Sequence, residues 1–143
     1  MSDRPGVLGV YDIETIVSEK DRVEMRMPIT PRTFQPHGFL HGGITIALLE
    51  SAASAGAENN TDFDKELPFG IDVQIRHRKS GTSGYLRGVA ELERVEGIKW
   101  FWKVTAYDDE NDVISDGMIM VKIVPLSRLE EKKREREEAK KAQ

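Results

Sequence analysis

One carboxylate, Glu50, stands inside a run of apolar and small residues, Ile44-Thr45-Ile46-Ala47-Leu48-Leu49-Glu50-Ser51-Ala52-Ala53-Ser54-Ala55-Gly56-Ala57, and the run is entered through His41-Gly42-Gly43. A segment of this length that is apolar on all sides is normally a buried helix. Burying an ionisable group is costly unless it is paired or used in chemistry. At the start of such a helix the backbone N–H groups of Gly42 and Gly43 would point outward. With the helix dipole they would form a site for an anion or a developing oxyanion. Glu50 lies eight residues beyond Gly42, about 12 Å along an ideal helix rising about 1.5 Å per residue. One helix therefore cannot bring both groups to a single carbonyl. If they act together, two copies of the helix must contribute, and the site lies between subunits.

Ile46, Glu50 and Ser54 share a helical face at i,i+4 spacing, so Ser54 is placed to orient the carboxylate or a water. His77 stands beside Arg76, Arg78 and Lys79, an electropositive cluster of the kind a phosphate-bearing group needs. Each feature has a plainer alternative. In that alternative Glu50 is held in an ion pair with Arg76, Arg78 or Lys79. The glycines then serve a tight turn or a close helix–strand approach. His41 is then structural, His37 a loop surface residue, and the basic cluster a solvated strand end.

Several classes of chemistry are excluded. The 143 residues include no cysteine, so there is no disulfide, cysteine nucleophile or thiolate metal site. Three histidines without an HExxH pattern make no metal site. There is no Walker lysine, no GxGxxG and no G-x-S-x-G elbow. A net charge of -4 gives no basic field to recruit nucleic acid or anionic membrane. The first residues do not read as a signal peptide, and no apolar stretch reaches bilayer-spanning length. The expectation is a soluble, cytoplasmic protein.

The elements that must position these groups follow from periodicity. Residues 7–18 are rich in β-branched side chains and read as a strand, and residues 22–29 alternate as a second, with a hairpin turn at 18–21. Pro28, Pro31 and Pro36 keep 28–38 extended and irregular. The helix spans about 42–57 and ends at Asn59-Asn60-Thr61-Asp62. Four strands follow, at 69–78, 85–95, 98–107 and 113–124, joined by short turns. Consecutive hairpins give an antiparallel sheet, and one apolar helix against it gives an α+β fold. Phe101 lies opposite Trp100 and Trp102, which suggests that the sheet's second face or edge meets a partner subunit. The chain divides into a body, 1–126, and a tail, 127–143. The tail carries seven basic and five acidic residues. Its pairs Glu130/Arg134, Arg134/Glu138 and Glu137/Lys141 are each worth about 0.2–0.5 kcal/mol in a helix. It reads as a solvated helix, and its mixed charges without aromatics do not suit nucleic acid.

The spacing Gln35-x5-His41-Gly42-Gly43-x6-Glu50-x3-Ser54 resembles the hotdog-fold acyl-CoA thioesterases of the 4-hydroxybenzoyl-CoA, 1,4-dihydroxy-2-naphthoyl-CoA and phenylacetate-pathway type. The resemblance covers roughly residues 8–124. It implies a hotdog fold, an antiparallel sheet wrapped around a long central helix, and hydrolysis of an aromatic or medium-chain acyl-CoA. Glu50 would be nucleophile or general base, and the Gly42 N–H would polarise the thioester carbonyl. Gln35 and His41 would place that carbonyl and the helix entry, and Ser54 would position water or the acyl group. His77 would line the pocket. Arg78, Lys79 and Ser80, with Arg94, Gly97 and Lys99, fall where relatives hold coenzyme A. The small residues at 51–57, Ala55 among them, would leave room for the acyl group or let two helices pack closely. No cofactor is implied beyond the coenzyme A of the substrate. The relatives are dimers of hotdog dimers with sites between subunits, so the partners implied are acyl-CoA and further copies of the chain.

Gln35 and Glu50 stand where phenylacetate-pathway relatives usually have Asn and Asp, which favours the benzoyl and naphthoyl subgroup. The segment 94–99 does not reproduce the relatives' sequence, and the tail has no counterpart. Other readings are a non-catalytic hotdog that binds acyl-CoA as sensor or carrier, a hydratase on the same fold, and a structural protein whose Glu50 only makes a salt bridge.

Overall fold

The computed structural model describes Arg4 and residues 6–142. Six strands form one antiparallel sheet: β1 (Glu14–Ser18), β2 (Arg22–Pro28), β3 (Glu66–His77), β4 (Tyr85–Glu96), β5 (Lys99–Tyr107) and β6 (Val113–Pro125). Their order across the sheet is β1-β2-β4-β5-β6-β3. Three helices accompany them: α1 (Gly6–Val10), α2 (Gly42–Glu58) and α3 (Leu126–Lys141). α2 packs against β2 to β6, so the sheet wraps around one long helix. This is the hotdog arrangement that the resemblance implied.

The pairing register sets which side chains meet α2. Met25 stands across from Gly88, and Gly88 across from Ala106. Val23, Ala90 and Val104 form the adjacent row. These rows are buried against one face of the helix, Thr45, Leu48, Leu49, Ala52, Ala53, Gly56 and Ala57. Close approach depends on two missing side chains. A Cβ at Gly88 would stand 3.0 Å from Leu48 Cγ, and one at Gly56 would meet the Trp102 ring at 2.7 Å from Cζ3.

Three expectations are corrected. Residues 7–18 are not one strand: Gly6–Val10 is a short helix, and only Glu14–Ser18 pairs with β2. Asp12 adopts a left-handed conformation, φ 53°, and closes the helix, while Leu8 packs on the core. Tertiary packing overrides the β-branched composition here. The stretch 28–38 is not wholly extended, because Pro31–Thr33 forms a 3-10 turn with Thr33 buried. Finally, α2 is not buried all round within one chain. Ala47, Glu50, Ser51, Ser54 and Ala55 are only half-buried. Alanines and serines suit either environment, so their presence concealed an open face.

Among the described residues, β3 and α3 also present uncovered surfaces. β3 is an edge strand of 12 residues on which Phe69, Ile71 and Val73 are exposed. α3 has no buried residue and touches the body through β6.

Candidate active site

Gly42 begins α2, and His41 caps it. The His41 Nδ1 accepts the Gly43 N–H at 2.9 Å. That bond fixes the other ring nitrogen as the protonated one in the neutral imidazole. The His41 backbone N–H donates to the Thr33 carbonyl, and its own carbonyl accepts from Ile44 and Thr45. The Gly42 N–H has no acceptor among the described residues. Across from it stands His77 at the end of β3. A Cβ on Gly42 would come within 2.7 Å of His77 Nε2. The other ring nitrogen, Nδ1, lies 2.7 Å from Oγ of Ser115, a fully buried residue. The His77 ring thus packs against the open start of the helix. The backbone of neither Gly42 nor Gly43 is left-handed, so the pair provides close approach rather than a turn.

Farther along the same seam, Glu50 lies against β3 at Gly70. A Cβ built on Gly70 would meet Glu50 first, at 3.4 Å from Cδ and 3.7 Å from Cγ and closer still to Oε1. A β-bulge interrupts the β3–β6 ladder between Gly70 and Asp72. Glu50, Ser54 and Ala55 line a cavity of about 370 Å³, and Val7, Leu8 and Met25 form part of its wall. Among the described residues no cation pairs with Glu50. Arg78 Nε is bonded to Asp116 Oδ1 at 2.9 Å. Lys79 Nζ lies 2.8 Å from both Asp108 Oδ2 and Asp112 Oδ2. The alternative in which Glu50 is neutralised by Arg78 or Lys79 is not the one the chain adopts. Those carboxylates hold Lys79 above its ordinary value of 10.5, the hydrogen bond that Lys79 donates to Asp108 contributing most. The same bond from Lys79 is the main cause that lowers Asp108 below its ordinary 3.8.

Gln35 sits in the loop before the helix, where its Oε1 accepts the His37 N–H and its backbone N–H donates to Phe39 O at 2.8 Å. The amide nitrogen has no hydrogen-bond partner among the described residues. Ser80 is exposed beside the Lys79 ion pair. Arg94, Gly97 and Lys99 are elsewhere. Gly97, φ 60°, makes the β4–β5 turn, and Arg94 lies over Phe101, 3.8 Å from its ring centroid. Lys99 pairs in register with Lys122, and Lys122 with Phe69, whereas His77 pairs with Ser115 and Ser115 with Ala106. The two basic groups are thus at opposite ends of the sheet, roughly 23 Å apart at about 3.3 Å per residue. One chain does not bring them to one ligand.

The cavity wall from α1, Gly70 and Ser115 were not among the sequence candidates. Gly70 had a signal, since an isolated glycine in an alternating strand marks a bulge or a close backbone approach. Ser115 becomes visible only through the strand register. Among the described residues no cluster of His, Asp or Glu would hold a metal ion, and no helix is long and apolar enough to cross a membrane.

An acceptor-only carboxylate beside a cavity, on a seam with an unfilled helix N-terminus, is equipped for acyl transfer to water. The known proteins that the chain is similar to carry that chemistry. The family model of the thioesterase superfamily matches residues 37–115. A 1,4-dihydroxy-2-naphthoyl-CoA hydrolase of Listeria monocytogenes is 28% identical over 109 residues, 76% of this chain and 88% of that protein. The proofreading thioesterase EntH of Cronobacter sakazakii is 31% identical over 90 residues, 63% of this chain and 65% of that protein. Among solved structures, a glutamate-to-alanine variant of the hypothetical protein SAV0944 of Staphylococcus aureus is 31% identical and superposes with a TM-score of 0.81, covering 83% of this chain and 98% of that one. A glutamine-to-alanine variant of the thioesterase SAV0944 is 30% identical with a TM-score of 0.80, covering 82% and 98%. With a matched segment that spans the helix start, Glu50 and β3, the chain belongs to the thioesterase superfamily and is a thioester hydrolase on a hotdog fold.

Proposed function

We propose that this protein hydrolyses an acyl-CoA thioester, releasing the free acid and coenzyme A, with Glu50 as the reacting carboxylate. The observation that carries the reading is the unpaired Glu50 side chain beside a cavity, on the same α2–β3 seam as the open Gly42 N–H. The thioester carbonyl oxygen accepts the Gly42 N–H at the positive end of α2, which stabilises negative charge as it develops. Glu50 then takes a proton from the water that adds to the carbonyl carbon, or itself adds to that carbon to form a mixed anhydride, which water hydrolyses after the sulfur has left, freeing the acid and restoring the carboxylate. In either route the C–S bond breaks, and the sulfur leaves with the electron pair and acquires a proton. Ser54, one turn beyond Glu50, holds the water or the acyl group. His77, braced by Ser115, closes the pocket at the helix start. Ala47, Ser51 and Ala55 leave a trough for the acyl group against Val7 and Leu8. Glu50 stands fifteen positions after Gln35. The glutamine and glutamate replaced in the Staphylococcus aureus protein are also fifteen apart, which supports roles for both residues.

Because Gly42 and Glu50 of one helix are about 12 Å apart, the working site combines Gly42 of one subunit with Glu50 of another. The exposed edge of β3 supplies the means: pairing it with a second copy would bring two α2 helices side by side. The test is a panel of aromatic and medium-chain acyl-CoAs assayed by thiol release. Glu50→Ala and Glu50→Gln should lower kcat by at least about 10³-fold while circular dichroism and Tm stay as in the wild type, the scale of loss expected for a group acting on the reacting atoms. Wild-type turnover by Glu50→Ala on a good substrate would remove Glu50 from the mechanism. Tight acyl-CoA binding without thiol release by the wild type would mark a binding protein.

A further inference from the structure

We infer that Gly70 is a positioning residue for the Glu50 carboxylate, a role that rests on the reading of Glu50 given above. The three atoms nearest to a Cβ built on Gly70 all belong to Glu50: Oε1, then Cδ at 3.4 Å and Cγ at 3.7 Å. The side chain of Glu50 is laid into the slot that the missing side chain leaves. Gly70 is not glycine for the sake of its backbone, because its φ is not among the left-handed ones. It is glycine for space. The bulge between Gly70 and Asp72 adds a reason for the slot to be where it is, since a bulge bends a strand and re-aims its groups next to a site.

This arrangement separates folding from function. The atoms that an added methyl would meet are the far end of a flexible side chain and not backbone, so Glu50 can swing away at little cost to the fold. What it cannot do is stay where it is. A displacement of about 1 Å in a reacting group costs on the order of 10²-fold in rate. Gly70 therefore acts on turnover through Glu50, without touching substrate.

The experiment compares wild type, Gly70→Ala, Gly70→Val and Glu50→Ala for thiol release, Tm, and affinity for a non-hydrolysable thioether analogue of acyl-CoA. Gly70→Ala should lower kcat roughly 100-fold while KM and analogue affinity stay within about twofold and Tm is unchanged, and Gly70→Val should lower kcat further. Wild-type kcat in Gly70→Ala, or a loss of kcat matched by a fall in Tm or in analogue affinity, would overturn the inference. If Glu50→Ala itself keeps wild-type kcat, the role of Glu50 fails and that of Gly70 with it. Full loss in Glu50→Ala beside full activity in Gly70→Ala would sink the positioning role alone.

Discussion

The Nδ1 lone pair of His41 caps the helix that carries Glu50, so a residue selected by its spacing in the motif also has a structural task. Replacing an N-cap acceptor by alanine costs about 1 kcal/mol. His41→Ala should therefore lower the urea midpoint by that equivalent, and His41→Asn, which restores a short acceptor, should recover most of it. At this scale the sequence showed what type and spacing can show. Glu50, Ser54, Gly42 and His41 stand out because a charge, small residues and a capping side chain are legible one position at a time. Gly70 and Ser115 act through partners 20 and 38 residues away, and such distances are set by strand register. Lys79 shows the converse. Its charge was legible, but its commitment to Asp108 and Asp112 was not.

Among the elements, α2 was the easiest to foresee and the easiest to misjudge. Its length and both ends were readable from glycines, a histidine and the Asn59 stop. Its burial was not, because a helix of alanine and serine has no polar face to mark where the sheet ends. The open face with Glu50 is the reason the helix looked buried from every side: what the single chain leaves uncovered is apolar enough to be covered. The first strand was over-extended for a related reason, since Val7 and Val10 belong to a short helix that seals the cavity wall rather than to the sheet. α3 is different in kind. None of its residues is fully buried, and oppositely charged residues recur along it at i,i+4 spacing. Removal of residues 127–143 should change unfolding free energy by less than about 1 kcal/mol and leave kcat unaltered. A fall in either would give the tail a role in the body.

For the molecule as a whole, the exposed edge of β3 bears on assembly. If two copies pair along β3 about a two-fold axis, a residue near the middle of the strand faces its own copy. A charge placed there meets a like charge directly opposite, which destabilises the pair. Ile71→Lys should shift the sedimentation coefficient toward that of a monomer, and thiol release should fall in parallel with the dimer fraction. Full activity in a monomeric variant would show that one chain suffices. The hotdog topology was legible in part: β4, β5 and β6 follow one another by short hairpins, but β3 is not joined to β4 by one and instead pairs with β6 at the far edge, which the turns alone do not reveal. The share of the site proposed for a second copy was legible only as a distance too long for one helix.

The chain has two tryptophans, and both lie on β5 facing the helix. Trp102 is fully buried against Gly56, with no acceptor for its Nε1 among the described residues, and Trp100 packs beside the same core. The intrinsic fluorescence of this protein is therefore an optical readout of α2 docked on its sheet. An indole enclosed by alkyl groups and lacking a hydrogen-bond partner emits toward the blue, and undocking of α2 would move that emission to the red. The helix that carries Glu50 thus comes with its own built-in reporter, which requires no label and leaves the cavity untouched.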